Sequence, residues 1–210
     1  MPRPPALDLK PYFVTLDDLD GIVDWGRFFG NDNPVEIDVG SGRGLFLVTA
    51  GAAHPNINYV GVELDYKEGR RAARRIKKRE MPNVRVVGGD VRVFFDEHVR
   101  PSSVAAVHVY FPDPWWKRRH RRRRVFTDQL VSQMAAALKP GGLVHSWTDV
   151  EEYFVVISAL MNHDQRFEPL PTPPVQNAEH DLDYRTSFER KKRQAGRTIH
   201  RGMWRLKSST

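Results

Sequence analysis

Residues 35–44 read Val-Glu-Ile-Asp-Val-Gly-Ser-Gly-Arg-Gly, a short apolar run followed at once by three glycines at alternate positions. An apolar run of this length that ends in a glycine turn predicts a buried strand. Residues 45–53 are largely apolar and stop before His54-Pro55, which predicts a helix directly after the turn. A strand, a glycine turn and a helix form the first unit of a sheet that binds ligands at the carboxyl ends of its strands.

The same alternation continues outward from this unit. Further strands are predicted at 58–63, 84–87, 104–110, 143–147 and 199–206, with helices at 66–80, 126–138 and 150–162. Residues 167–170 begin the last section of the chain, where we expect further strands. This order predicts an α/β fold, a doubly wound and mostly parallel sheet of about seven strands with an antiparallel C-terminal strand. We assign residues 31–210 to this single domain and residues 1–30, which are weakly patterned, to an N-terminal extension.

The chain is basic, with 33 Lys and Arg against 26 Asp and Glu and a formal charge of +7. Residues 117–124, Lys-Arg-Arg-His-Arg-Arg-Arg-Arg, carry this whole excess, because the remainder of the chain holds 26 residues of each sign. A charge concentrated in this way predicts a polyanion as partner.

Several classes of protein and site are excluded by composition. The chain has no cysteine, so it has neither disulfides nor thiolate chemistry, and its eight histidines show no short metal-ligand spacing. We therefore expect no metal. No run of about 20 apolar residues is present, and residues 1–5 do not resemble a secretory signal, so we expect no membrane association and a cytoplasmic location.

Carboxylates stand at the end of every predicted strand of the parallel part of the sheet. Glu63 ends the second strand 23 residues after Gly40, at the place where an acidic side chain commonly binds ribose hydroxyls. The others are Asp38, Asp90, Asp113 and Asp149. Because the carboxyl ends of parallel strands meet at one edge, these acids are predicted to surround one ligand cleft.

The ligand is predicted from the spacing of the glycines. A nicotinamide dinucleotide fingerprint, Gly-x-Gly-x-x-Gly, needs glycine at position 45, which is leucine here. Acids around the cleft suit the sulfonium and amino groups of S-adenosylmethionine better than a pyrophosphate. We therefore favour a methyltransferase over a dehydrogenase.

The stretch 111–120, Phe-Pro-Asp-Pro-Trp-Trp-Lys-Arg-Arg-His, resembles the tRNA (guanine-N7)-methyltransferases of bacterial type. The resemblance continues through Thr148-Asp149 and through 186–190, Thr-Ser-Phe-Glu-Arg, followed by Gly196, and covers roughly residues 35–205. It implies a Rossmann-like class I methyltransferase that moves a methyl group from S-adenosylmethionine to N7 of a guanosine in tRNA, in the variable loop.

The resemblance also implies roles for individual residues. Cofactor contacts fall on Asp38, Gly40, Gly42, Gly44, Glu63, Asp90 and Asp113, and Asp113 is the catalytic or guanine-orienting acid. Substrate contacts fall on Lys117, Asp149, Thr186, Ser187, Phe188 and Glu189. RNA contacts fall on Arg119, His120, Arg121, Arg122, Arg123 and Arg124. The family usually has Glu where this chain has Asp38, and we expect Glu36 to face the other side of the strand.

The predicted chemistry needs alignment rather than proton transfer. Guanine N7 carries a lone pair and no proton, so the reaction requires no general base. Positive charge develops on the guanine during transfer, and the carboxylate of Asp113, held between two prolines, is suited to stabilise it. Trp115 and Trp116 either stack on the base or pack at the rim.

Two alternative functions stay open on the sequence, as does the role of one basic segment. An enzyme of the same fold can act on another nucleobase, an RNA cap or an amino group, and a non-catalytic module would bind RNA but not S-adenosylmethionine. Residues 70–79 are strongly basic and either extend the RNA-binding patch or form an exposed helix face. RNA contact is also predicted for residues 190–193 and Arg197.

Overall fold

The computed structural model describes residues 8–115, 119, 124–172 and 186–208. The strands are β1 (Phe13–Thr15), β2 (Val35–Val39), β3 (Asn58–Glu63), β4 (Val84–Gly88), β5 (Val104–Tyr110), β6 (Leu138–Thr148), β7 (Phe167–Leu170) and β8 (His200–Leu206). The helices are α1 (Trp25–Phe29), α2 (Leu45–Ala53), α3 (Tyr66–Lys78), α4 (Val91–Val93), α5 (Asp128–Ala137), α6 (Glu151–His163) and α7 (Ser187–Gln194). A π-helical turn, Phe94–His98, continues α4.

The strands form one sheet in the order β1-β4-β3-β2-β5-β6-β8-β7. The first six of these are parallel to one another, whereas β8 is antiparallel to both β6 and β7. The direction of winding reverses between β2 and β5, which is where ligands bind in sheets of this type. The predicted doubly wound fold is therefore confirmed.

Two apolar layers cover the sheet. Helices α2 and α3 pack on one face around Phe46, Leu47 and Ile76, while α1, α4, α5 and α6 pack on the other. In α3 the residues Gly69, Ala72, Ala73 and Ile76 are buried at helical spacing, and its charged side chains lie outside. This packing fixes the carboxyl ends of the strands along one edge of the domain.

The sheet has eight strands rather than about seven, because the N-terminal segment adds β1 beside β4. A strand of three residues is too short to leave a periodic pattern in the sequence. The segment is further held by the Arg85 guanidinium, which lies 5.4 Å from the Tyr12 ring centroid and 5.3 Å from that of Phe29.

The turn predicted at residues 139–142 lies inside β6. Val104 pairs with Leu138 and Ala106 pairs with Leu143, so the four residues between them bulge out of the ladder. None of the described helices combines the length and the apolar character that crossing a membrane requires.

Candidate active site

A cavity of about 1260 Å³ opens at the carboxyl ends of the strands where the winding reverses. This volume exceeds the roughly 300–1,000 Å³ of ordinary small-molecule sites, so a cofactor and a second reactant both fit. Its lining includes Asp38, Gly40, Gly42, Glu63, Asp90, Asp113 and Thr186 from the predicted set. The structure therefore brings every residue predicted to contact the cofactor except Gly44 to one place.

The glycine turn leaves an open wall on this cavity. Gly40 and Gly42 have φ angles of 72° and 52°, and a Cβ built on either would meet no atom within 4 Å. Left-handed backbone and free space together are what a ligand lying against the main chain requires.

Gly44, for which a cofactor contact is predicted, has a role in packing. It does not line the cavity, and a Cβ there would lie 2.8 Å from the Cβ of Ala72. Its missing side chain lets the start of α2 approach α3. Gly44 is thus a packing glycine.

Glu63 holds the glycine turn through a hydrogen bond to its main chain. Its Oε2 accepts from the Gly42 amide at 2.7 Å, and its Oε1 accepts from the Asp65 amide at 2.9 Å. Each carboxylate oxygen has a second lone pair, so Glu63 can still accept from a ribose hydroxyl. The same side chain is therefore able to hold the turn and a ligand.

Asp38 is buried within the cavity, with only 4% of its surface exposed. Burial, reinforced by the negative charge of Glu63, raises the pKa of Asp38 to about 8. Asp38 is consequently protonated at neutral pH in the ligand-free protein. A cation placed beside it would favour the ionised form.

Asp90 follows β4 and is the N-cap residue of α4. Its Oδ2 lies 2.5 Å from Arg92 Nη2, and its Oδ1 accepts from the Arg92 amide. Hydrogen bonding to the Arg92 side chain lowers the pKa of Asp90. The carboxylate is therefore ionised, oriented and in contact with the cavity.

Asp113 follows β5 on an irregular turn at the cavity rim, with its side chain exposed. Phe111 and Trp115 have φ angles of 51° and 40°, in the left-handed region that bulky side chains rarely adopt. Such strained backbone is typical of functional sites, where surrounding contacts hold it.

Arg124 provides one of those contacts. Its Nε donates to the Pro114 carbonyl at 2.7 Å, and its guanidinium carbon lies 5.0 Å from the Tyr153 ring centroid. Burial raises the pKa of Tyr153 to about 12, so its ring remains a neutral platform. Arg124 was predicted to bind RNA, but its guanidinium is directed at the turn that carries Asp113.

Asp149 and Glu189 do not line the cavity and instead hold α7 against the sheet. Asp149 Oδ2 lies 2.8 Å from Lys192 Nζ. Glu189 is 2% exposed, and its Oε1 lies 3.3 Å from Arg201 Nη2. Both ion pairs tie α7 to neighbouring elements, and direct contact with substrate stays a prediction for these two acids. The N-cap residue of α7, Thr186, lines the cavity.

Several predicted residues lie outside the described part of the chain. These are Lys117, His120, Arg121, Arg122 and Arg123, together with Trp116. For Ser187 and Phe188 only the backbone, the first turn of α7, is described. Arg119 is described and exposed.

A polar network behind the cavity was missed by sequence reasoning. His108 Nε2 lies 2.7 Å from Glu36 Oε2, and His108 Nδ1 lies 3.0 Å from the hydroxyl of Tyr110, a cavity-lining residue. The expected direction of Glu36 was wrong, because side chains two residues apart on a strand share a face, so Glu36 and Asp38 point the same way. Strand alternation alone would have revealed this.

Basic side chains also line the cavity, although the sequence predicted RNA contact for some of them and cavity lining for none. They are Arg43, Arg75, Arg92, Arg124, Arg190 and Lys191. Among the described residues, no group of three or more His, Asp or Glu side chains is arranged to hold a metal ion.

The residues present fit S-adenosylmethionine. The open wall at Gly40 and Gly42 admits a ligand against the main chain, and a buried acid at Asp38 can neutralise a cation. Glu63, at the end of β3, has lone pairs left to accept hydrogen bonds from the ribose hydroxyls of a ligand. The pyrophosphate of a dinucleotide is negatively charged, so these acids would repel it.

The sequence matches a family model described as "Putative methyltransferase" over residues 32–202. A tRNA (guanine-N(7)-)-methyltransferase of Rhodopirellula baltica is 41% identical over 210 residues, which cover 97% of this chain and 78% of that protein. A protein of the same name from Geobacter metallireducens is 35% identical over 152 residues, which cover 72% of each chain.

Among solved structures, an S-adenosylmethionine-dependent O-methyltransferase from Thermotoga maritima has a TM-score of 0.55 to this chain at 17% identity. The match covers 85% of this chain and 61% of that one. At this identity the likeness is one of fold, and it confirms the Rossmann-like arrangement.

Proposed function

This chain belongs to the tRNA (guanine-N7)-methyltransferase family, and we propose that it methylates N7 of a guanosine in the variable loop of tRNA, with Asp113 beside the base. The activity and the methyl donor, S-adenosylmethionine, follow from membership of the family. The choice of nucleotide and the roles of individual residues are the substance of the proposal.

One observation carries the proposal: four carboxylates from successive strand ends face a single cavity beside an open glycine turn. Asp38, Glu63 and Asp90 lie on the side of the turn, and Asp113 lies across the point where the winding reverses. In this proposal the first three acids contact the methyl donor, and the fourth contacts the acceptor.

S-adenosylmethionine, when bound, supplies an activated methyl group on a positively charged sulfur. The main chain at Gly40 and Gly42 would lie along it, Glu63 would accept from its ribose hydroxyls, and Asp38 would face its cationic amino-acid end. Asp90 is the remaining acid on that side, already ionised and held by Arg92. Together these groups fix the position of the donor.

Asp113 orients and stabilises the acceptor. Its carboxylate can accept hydrogen bonds from N1 and N2 of guanine, which leaves N7 uncovered on the opposite edge of the base. Because N7 has no proton, no group of the protein needs to act as a base. A negative charge held beside the ring stabilises the positive charge that develops there.

Phosphates of the RNA are bound by basic residues around the mouth. Arg190 and Lys191 of α7 and the exposed Arg119 are placed for this, and the basic run through residue 124 provides further charge. The cytoplasmic location predicted from the sequence belongs to the same proposal.

The test is methyl transfer from labelled S-adenosylmethionine to an unmodified tRNA transcript, with digestion to nucleosides and mapping of the modified position. Wild type is compared with Asp113→Ala and Asp113→Asn, and with Asp96→Ala, which removes an exposed acid outside the cavity. We expect 7-methylguanosine in the variable loop, a loss of 10²-fold or more in kcat for both Asp113 variants, and normal activity for Asp96→Ala.

Two results would contradict parts of the proposal separately. Methylation of another nucleoside, or of a cap but not of tRNA, would favour the alternative acceptor of the same fold. Normal rates in Asp113→Asn with an unchanged product would leave the activity intact and remove the assigned acid.

A further inference from the structure

Helix α3 carries a continuous basic face that the active site does not use in full. Five basic residues on its surface are exposed: Lys67, Arg71, Arg74, Arg75 and Lys78. Apart from the adjacent pair Arg74 and Arg75, each lies three or four positions from the next along the chain. Residues at these spacings share one side of a helix. They are called the α3 basic stripe here, and at 1.5 Å per residue the stripe is about 16 Å long.

The stripe is poorly neutralised by the protein itself. Glu68 is the acid on this side of α3, and it is already shared between Arg43 and Arg71. No ion pair between described residues involves Arg74 or Lys78. Like charges four residues apart on a helix repel each other, so this arrangement is destabilising unless an anion is bound.

The stripe is continuous with the mouth of the active site. Arg75 lines the cavity and donates to the Arg43 carbonyl at 3.2 Å, so one member of the stripe is also part of the rim. From there the stripe follows α3, which packs on β3 and β4. The predicted RNA-binding run begins after β5, on the other side of the winding reversal.

We propose that the α3 basic stripe binds the ribose-phosphate backbone of a helical arm of the substrate RNA, remote from the methylated guanosine. This inference rests on the proposed function, because it takes tRNA as the substrate. Three of the five residues are arginines, whose planar guanidinium groups match phosphate geometry. Contacts of this kind position an RNA without reading its sequence.

A second contact surface explains how one guanosine is selected. The guanosine must enter the cavity while the helical arm contacts α3. Only an RNA with the correct distance between these two parts can make both contacts at once and reach full affinity. A rigid helix fixed by the burial of Ala72, Ala73 and Ile76 provides a stable reference for that spacing. Shape rather than sequence would then determine selection.

The test compares two double variants with equal loss of charge. Arg74→Gln with Lys78→Gln removes two members of the stripe that do not line the cavity. Arg100→Gln with Lys139→Gln removes two exposed cations near the amino ends of β5 and β6, whereas the cavity lies at the carboxyl ends of the strands. Thermal unfolding checks that all three proteins are folded.

Binding of a full-length tRNA transcript and of an isolated hairpin containing the target guanosine is measured across a series of salt concentrations. The stripe variant is expected to bind full-length tRNA roughly five- to ten-fold more weakly. The slope of log Kd against log salt concentration should become shallower by roughly one to two. Its hairpin binding, its affinity for S-adenosylmethionine and its kcat at saturating tRNA should match wild type.

The proposal is overturned if the two double variants lose tRNA affinity equally, since only net charge would then matter. It is also overturned if the stripe variant binds tRNA normally but loses binding to phosphatidylglycerol vesicles, which would identify a membrane surface as the partner. Failure of the proposed function is a separate result, because wild type would then make no 7-methylguanosine in either RNA.

Discussion

Arg124 donates from Nε to the carbonyl oxygen of Pro114, at 2.7 Å, and so joins the basic run to the turn that carries Asp113. The guanidinium also lies over the ring of Tyr153 from α6. Asp113 is exposed, and its neighbours Phe111 and Trp115 adopt left-handed backbone. The position of this acid therefore depends on a contact that Arg124 makes from eleven residues further along the chain.

Replacing Arg124 with lysine should slow methyl transfer more than it weakens RNA binding. Lysine keeps the charge but loses the planar group that reaches Pro114 and covers Tyr153 at the same time. We expect kcat to fall by roughly ten- to a hundred-fold, because small displacements of an aligning group are costly. Steady-state kinetics with tRNA separate kcat from KM.

Arg119→Lys is the matched control, since Arg119 is exposed in the same basic segment. It should leave kcat close to wild type. If Arg124→Lys instead raised KM alone and left kcat intact, Arg124 would be an RNA contact, as the sequence predicted, and not a positioning residue.

The stability of the ligand-free protein should fall as pH rises from about 4 to about 8. The pKa of Asp38 is raised from its ordinary value of 3.8 to about 8 in the folded protein, by burial and by Glu63. Between these values the folded state holds a proton that the unfolded chain has released, so each pH unit removes on the order of 1.4 kcal/mol. Urea unfolding at a series of pH values measures this slope.

Asp38→Asn should lack this component of the pH dependence, because its amide does not ionise. Comparison of the two proteins isolates Asp38 from the other titrating groups. Parallel stability curves for wild type and Asp38→Asn between pH 4 and 8 would show that the raised pKa is absent.

Binding of S-adenosylmethionine near neutral pH should release a proton. Asp38 is protonated in the free cavity, and a cation beside its carboxylate favours ionisation. Calorimetry in buffers of different ionisation enthalpy should give a release approaching one proton below pH 7 and declining above pH 8. Release that is unchanged in Asp38→Asn would assign the proton to a different group.

Alanine should destabilise the fold more at Gly44 than at Gly42. At Gly44 the new Cβ would lie 2.8 Å from that of Ala72 with φ at 68°, so we expect a loss of roughly 2–4 kcal/mol in the free energy of unfolding. At Gly42 the Cβ enters open cavity space, and the loss should be limited to roughly 1–2 kcal/mol of backbone strain.

The affinity for S-adenosylmethionine should fall more in Gly42→Ala than in Gly44→Ala. Gly42→Ala should weaken it strongly, because the methyl group occupies the wall against which the ligand lies. Folded Gly44→Ala should bind almost normally. A Gly44→Ala protein that is stable yet fails to bind the cofactor would restore the contact predicted from the sequence.

The sequence by itself determined the fold, the end of the sheet at which the cavity opens and four of the acids that line that cavity. The alternation from residue 35 to residue 148 predicts parallel strands, and acids at consecutive strand ends must converge because such strands end at the same edge. Asp38, Glu63, Asp90 and Asp113 therefore meet as predicted. A local pattern was sufficient, since it fixes both the element and the direction of its end.

Only the tertiary structure decided what each of these residues contacts. Gly44 meets Ala72, Arg124 reaches back to Pro114, and Glu189 is paired with Arg201. The proton on Asp38 likewise depends on burial beside Glu63, a neighbour 25 residues away in the chain. Contacts between separate elements, and the loss of water around a buried charge, arise from packing, which no local pattern of residues specifies.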